Sequence, residues 1–143
     1  MKEGTLIWWL VFVVFAIWQL PQFIVALVML PFLGDIKLIA RRHFNFCFVG
    51  SNMVGGISLG PFAYVSKRLT ADEPVAHELD GHTVQSKILG PLYLFVVGIP
   101  SILNAMFDFT PCYYDFYTES WANRYAGLTV DDNCRLVFKD DGR

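Results

Sequence analysis

Charge is what this chain has least of. Of its 143 residues 17% are charged, against about 25% in an ordinary soluble domain, and between Glu3 and Asp35 lie 31 residues with no charge at all. With 55% apolar and 16% aromatic residues, that scarcity excludes a disordered or collagen-like chain and points to a membrane. The 11 basic and 13 acidic residues are scattered and sum to −2, so no basic stripe exists to neutralise a phosphate backbone, and nucleic acid is excluded as a partner. The three cysteines, Cys47, Cys112 and Cys134, form no C-x-x-C pair and no even framework. Free buried thiols are the expectation, with one Cys112–Cys134 bridge as the alternative. A G-x-S-x-G elbow, a phosphate-binding loop, a recognisable nucleophilic cysteine, internal repeats and low-complexity linkers are also absent.

The uncharged run from Gly4 to Gly34 as one helix would be about 46 Å long, well beyond the roughly 30 Å hydrocarbon core. Gln19, Pro21 and Gln22 interrupt its middle, which predicts a kinked, tilted span or the two arms of a re-entrant hairpin. The run is too long for a signal-peptide core and lacks a small-x-small cleavage site. Trp8 and Trp9 suit one headgroup level. Lys37, Arg41 and Arg42 after the run, against Asp35, place the following side in the cytoplasm by the positive-inside rule.

Residues 43–66 alternate Phe44, Phe46, Phe48 and contain Gly50, Gly55, Gly56 and Gly60, the pattern of strands joined by glycine turns. Open sheet edges are not tolerated in lipid, so this β element belongs at the interface or beyond it, where an edge strand could also hold an extended peptide. From Thr70 to Lys87 the chain turns polar and helical, with Thr70 or Asp72 as N-cap and Glu73 and Pro74 in the first turn. Residues 88–107 are again uncharged, but Pro91, Gly98 and Pro100 divide them, so a buried or half-inserted helix competes with a second span. A short helix and a terminal strand or hairpin follow Asp108.

The informative segment is Val75-Ala76-His77-Glu78-Leu79-Asp80-Gly81-His82-Thr83. Two histidines with a glutamate beside the first are what a catalytic zinc helix needs: two neutral imidazole ligands and a carboxylate that deprotonates water. The usual spacing of four residues keeps both histidines on one face. Five residues turn about 140° away from it on an α-helix, and one extra residue absorbed as a π-bulge restores the shared face. Gly81 tolerates such an irregular backbone. Other readings remain open at this point. Glu78 and His82 share a face without any bulge, and Asp80 lies three residues from His77, a carboxylate-rich set that suits a harder ion or a structural site. His77 also reads as a surface histidine and His82 as a hydrogen-bonded core residue. His43, beside Arg41 and Arg42, reads as interfacial. Gln85, Ser86 and Asp115 are candidates to orient a ligand histidine. Tyr113, Tyr114, Tyr117 or Arg124 could stabilise an oxyanion, although tyrosines near a membrane also serve as anchors.

The hexapeptide 77–82 resembles the H-E-L-L-G-H motif of dipeptidyl peptidase III, a zinc peptidase with the lengthened spacing and a third ligand from a glutamate on a later helix. That resemblance implies Glu119, in Thr118-Glu119-Ser120-Trp121-Ala122-Asn123, as the third ligand in a gluzincin-type arrangement; it covers only these two segments and implies chemistry rather than ancestry. A longer stretch, Gly81-His82-Thr83-Val84-Gln85-Ser86 through Leu89-Gly90-Pro91-Leu92-Tyr93-Leu94 and Gly98-Ile99-Pro100-Ser101, resembles a family of small bacterial membrane proteins of uncharacterised function. With the Gly55–Gly60 turn and the Glu119 segment, that likeness spans roughly residues 50–125. It implies a membrane-associated metallopeptidase-like domain and no particular substrate.

The expected architecture is therefore α+β: a membrane-embedded N-terminal helix or helical hairpin, a small glycine-rich β element and a zincin-like helix pair. Residues 1–42 form the anchor and basic juxtamembrane segment, and 43–143 the metallopeptidase-like domain with its apolar segment at 88–107. The expected function is hydrolysis of peptide bonds in membrane-proximal chains, with Zn²⁺ on His77, His82 and Glu119, Glu78 as general base, and Asp80, Asp115, Tyr117 and Arg124 in support. The expected partners are the lipid bilayer, a peptide or protein substrate and a further membrane protein. The setting is a membrane, the inner one for a bacterial chain, with the polar helix on the cytoplasmic side. The competing expectation is a non-catalytic membrane protein in which the His/Glu cluster is a structural metal site or buried polar network and the apolar segments bind a partner. At 143 residues, with much of the chain assigned to lipid, little surface remains for a deep substrate cleft.

Overall fold

The computed structural model describes residues 2–139. Helix α1 (Leu6–Trp18) starts at Thr5, whose hydroxyl accepts the Trp8 backbone N–H at 3.2 Å and so caps one of the free donors of the first turn. The helix stops at Gln19, and α2 (Leu20–Met29) sets off with Pro21 in its first turn, where a missing N–H breaks no helical bond. Together with a short 3₁₀ turn to Phe32, the two arms pass each other's direction at 96°. Among the described residues no single helix is long and apolar enough to cross a membrane; this bent pair is the one combination that reaches the required length and composition.

Four strands follow: β1 (Ile36–Arg42), β2 (Asn45–Gly50), β3 (Gly56–Leu59) and β4 (Phe62–Val65), in the spatial order β1-β2-β4-β3. The β3–β4 hairpin folds back so that β4 lies parallel to β2, leaving β3 at the edge. Segment 36–42, expected to be a juxtamembrane stretch, is thus a strand of the same sheet, and the sheet crosses the division expected at residue 42. Its Ile39 and Ala40 find apolar neighbours on the sheet's core side, which a purely solvated basic segment would leave in water.

Strand alternation gives the sheet two working faces. Phe46, Phe48, Phe62 and Tyr64 face the helical hairpin: Phe12 meets Phe46 with ring centroids 5.7 Å apart, Phe23 meets Phe62 at 5.2 Å, and the Tyr64 hydroxyl donates to the Ala26 carbonyl at 2.8 Å. Trp8 joins this layer and is buried, while its neighbour Trp9 is exposed, so the two do not share one headgroup level. On the other face Cys47, Ala63 and Val65 pack against Val75 and Leu79. Burial pushes the Cys47 thiol up to about 12, with the Glu78 charge acting in the same direction.

The polar helix lies on that second face. It comprises α3 (Asp72–Ala76), a π-helical segment His77–His82 and α4 (Thr83–Leu89). Ala71 rather than Thr70 or Asp72 precedes its first residue; Asp72 and Glu73 instead sit in the first turn, where carboxylates complement the helix dipole. Residues 88–107 form no continuous span: a 3₁₀ turn at Gly90–Leu92, a π segment at Leu94–Gly98 and α5 (Ile99–Phe107) follow the breaks at Pro91, Gly98 and Pro100. Helix α6 (Tyr117–Ala126) and the hairpin of β5 (Leu128–Val130) and β6 (Leu136–Phe138) complete an α+β chain.

Two ties join these parts. The bend of the N-terminal hairpin is pinned to the polar helix, with Gln22 Nε2 donating to Ser86 Oγ at 2.9 Å and to the Gly90 carbonyl at 2.8 Å, and Trp18 Nε1 to the Lys87 carbonyl at 2.7 Å. A Cys112–Cys134 disulfide joins the segment before α6 to the terminal hairpin, while Cys47 stays free. Two of the thiols expected to be free are therefore bridged, because the chain reversal at Gly127 returns residue 134 to the loop before α6.

The bridge closes a separation of 22 residues, for which chain entropy gives about 3 kcal/mol. Cys112→Ser is accordingly expected to lower the denaturant midpoint of detergent-purified protein. An unchanged midpoint, or free thiols at both positions in protein prepared without reductant, contradicts the bridge.

Candidate metal centre

The five-residue histidine spacing is accommodated by the backbone. The π turn His77–His82 takes up the extra residue, and both imidazoles then point the same way, with ring centroids 4.7 Å apart. Gly81 serves this arrangement differently from the sequence expectation. A Cβ on it would lie 2.7 Å from the Ala122 carbonyl oxygen, so its missing side chain is what lets α6 close on the π segment. That approach delivers Glu119.

Glu119 is fully buried, and its Oε2 lies 2.8 Å from both His77 Nε2 and His82 Nε2. Its other oxygen accepts the Tyr113 hydroxyl at 3.1 Å and the Thr118 hydroxyl at 3.2 Å, and Thr118 Oγ1 is in turn 2.8 Å from Ser101 Oγ. The far side of each imidazole is fixed as well. His77 Nδ1 is 2.6 Å from Asn123 Oδ1, and His82 Nδ1 is 2.6 Å from Gln85 Oε1. The Gln85 amide donates through Nε2 to the Thr118 carbonyl at 2.9 Å, which settles which end of the amide faces the histidine. An amide oxygen only accepts, so Nδ1 carries a proton and the Nε2 lone pair of each neutral imidazole points at the Glu119 carboxylate.

Three lone-pair donors converging on one point repel each other unless a proton or a cation lies among them. Considering the protein's own charges, burial pulls the His82 imidazole down, but the charge and hydrogen bond of Glu119, with smaller help from Glu78 and Gln85, raise it to about 9. Burial likewise pushes Glu119 up, and the two imidazoles more than reverse this, holding the carboxylate far below its usual range. A divalent cation satisfies the same electrostatics with both histidines neutral. The donor set, two imidazole nitrogens and a carboxylate with their outer atoms hydrogen-bonded, has the chemistry of a zinc site.

Glu78 is the fourth member: ligand atoms of His77, Glu78 and His82 lie within 4.8 Å of one another. Its carboxylate accepts the Ser58 hydroxyl from β3, and β3 comes so close that a Cβ on Gly56 would lie 2.5 Å from Glu78 Oε1. A cavity of about 240 Å³ opens beside His77 and Glu78, walled by Gly56, Pro74, Ala105 and Tyr114. Burial, with the charges of Glu78 and Glu119, raises the Tyr114 hydroxyl to about 12, and the same causes raise Tyr113.

The other expected residues lie elsewhere. Asp80 points off the opposite side of the π turn, where Arg42 Nη1 meets its Oδ2 at 2.8 Å and His43 Nε2 its Oδ1 at 3.6 Å. Tyr117 is exposed, with its hydroxyl donating to the Val96 carbonyl at 2.6 Å. Asp115 and Arg124 line a surface depression with Tyr114, Ser120 and Asn123; the imidazole Nδ1 atoms meet amides, so Asp115 orients neither histidine. Of the tyrosines, Tyr113 and Tyr114 are the ones at the cluster. Sequence reasoning passed over Asn123, Ser58, Gly56, Thr118 and Ser101. Asn123 was within reach, since it stands four residues after Glu119 on the same helical face.

Gly81→Ala is expected to force α6 away from the π turn, lowering the melting temperature and abolishing stabilisation by added zinc. Retention of both would show that the close approach is not needed. Comparison of this chain with protein-family models, curated proteins and solved structures finds no match, so the case for a metal centre rests on its residues and geometry.

Proposed function

We propose that the protein is a membrane-associated zinc peptidase that hydrolyses peptide bonds in chains close to the bilayer, with His77, His82 and Glu119 as ligands and Glu78 as general base. The observation that carries this reading is the convergence of His77 Nε2, His82 Nε2 and Glu119 Oε2 on one point beside a carboxylate that borders an open cavity. Its motif also has the lengthened H-E-x-x-x-H form, now with a π turn to carry it. When bound, zinc supplies a Lewis acid for the scissile carbonyl and makes water acidic enough to attack near neutral pH.

The chain's own residues do the rest. Glu78, aimed by Ser58, takes the proton of the attacking water and returns it to the leaving amine. Tyr114 on the cavity wall keeps its phenol proton, raised by burial to about 12, and can donate to the carbonyl oxygen as that atom gains charge. Tyr113 is committed to Glu119 and acts on its orientation. A purely structural zinc site has its coordination filled by protein; the cavity at His77 and Glu78 favours the catalytic form. One observation favours the non-catalytic reading, in which the cluster is a buried polar network: Glu119 pairs directly with both histidines. That reading leaves Glu78 on the cavity wall without a task.

The bent α1–α2 pair supports association with a bilayer. Leu6, Ile7, Val14, Ile17, Val28 and Phe32 are exposed on it, and Phe95, Met106 and Phe107 on the segment leading through α5, an apolar area larger than monomers in water usually show. Entry as a re-entrant wedge fits the 96° bend. The cationic bias after the run is weakened as a topology signal, since Arg41 pairs with Glu3 and Arg42 with Asp80. The Cys112–Cys134 bridge favours the oxidising side of the membrane for the site.

Glu78→Gln is expected to keep the metal and lose at least about a hundredfold in peptide hydrolysis, the scale of general-base catalysis. Turnover at the wild-type rate with metal retained removes Glu78 from the mechanism.

A further inference from the structure

Two cavities, not one, meet at the proposed catalytic carboxylate. The larger, about 240 Å³, runs from Glu78 and His77 toward Val65, Leu69 and Pro74. The smaller, about 70 Å³, runs the other way along β3 past Ser58 and His82 and ends against Tyr93, Gly98 and Ile102. Both include Gly56, Ala105 and Tyr113 in their walls, so they are two arms of one cleft between β3 and α5, divided at the position of Glu78.

Strand β3 forms the floor of that cleft. It pairs with β4 on one side only, and the Tyr93 hydroxyl donates to the Ser58 carbonyl at 2.8 Å. That bond shows that the Ser58 backbone faces away from β4. By strand alternation Gly56 presents its N–H and C=O in the same direction. An extended chain laid along this edge would place successive side chains in the two arms.

The size of each arm decides what fits. A dry cavity of about 150 Å³ accepts a benzene ring; the larger arm exceeds that and is walled mainly by apolar groups, while the smaller arm is under half of it. Resting on the peptidase reading above, we infer that the cleft selects extended peptide segments with a bulky apolar residue on one side of the scissile bond and Gly, Ala or Ser on the other, and that Ile102 on α5 sets the small limit. Tyr93, buried and bonded to Ser58, closes the end of the small arm and cannot swing aside without losing that bond.

The test uses the zinc-loaded, detergent-solubilised full chain and two series of quenched hexapeptides, in which Gly, Ala, Ser, Val, Leu or Phe replaces the residue on either side of one Leu–Ala bond. Cleavage is followed with the wild type and binding with Glu78→Gln. At one of the two positions Ala is expected to exceed Leu by about tenfold or more in kcat/KM and in affinity, the scale on which hydrophobic pockets discriminate, while the other position prefers Leu or Phe. Ile102→Ala is expected to cut the Ala-over-Leu ratio at least fivefold, and the milder Ile102→Val to cut it less. Peptides that bind with this preference but are never cleaved leave the pocket assignment standing and remove the hydrolytic reading. Cleavage or binding without a small-residue position, a ratio unmoved in both Ile102 variants, or no binding by any peptide overturns the inference.

Discussion

One buried carboxylate organises this molecule. Glu119 has no exposed surface, and its Oε2 faces two imidazole nitrogens at 2.8 Å each. A carboxylate so enclosed is costly unless every lone pair is answered, and that requirement reaches far into the fold. It calls for a π turn that turns His77 and His82 the same way, a glycine at 81 that admits α6, and amide partners at Asn123 and Gln85 that fix both rings. It also calls for the loop before α6 to be placed well enough for Tyr113 to reach Oε1, and the Cys112–Cys134 bridge anchors that loop.

The sheet and the apolar hairpin serve the same centre from the other side. Cys47, Ala63 and Val65 support the polar helix, while the opposite sheet face rests on α1 and α2. The edge strand brings Ser58 to Glu78. Gln22 makes the hairpin bend part of the same structure, because its amide bonds to Ser86 and Gly90 close the helix end that carries His82. An apolar wedge fixed in this way sets the cleft at a constant height relative to a bilayer, which joins the proposed peptidase chemistry to the proposed membrane setting.

Much of this was legible in the residues because it depends on short-range periodicity. The break at Gln19–Pro21, the strands of 43–66, the breaks in 88–107 and the helix around Glu119 all follow from proline, glycine and apolar spacing. The need for a π turn followed from counting five residues between His77 and His82. What escaped depends on pairings between distant segments. The role of 36–42 as a strand rests on its register with β2, and Ser58 and Gly56 enter the site only because β4 slips between β2 and β3. Asp80 and Asp115 looked like ligand supports from their spacing, yet the π turn that gathers the histidines rotates Asp80 outward to Arg42. The disulfide was visible only as a pair of cysteines, since their approach depends on the turn at Gly127.

The most direct test of the central claim is the metal content of detergent-purified protein by elemental analysis, wild type beside His82→Ala. About one zinc per chain in the wild type and none in the variant is the result predicted by three lone pairs meeting at one point. No zinc in the wild type even after it is supplied, or equal zinc in both proteins, would contradict it and leave the cluster as a buried ion-pair network.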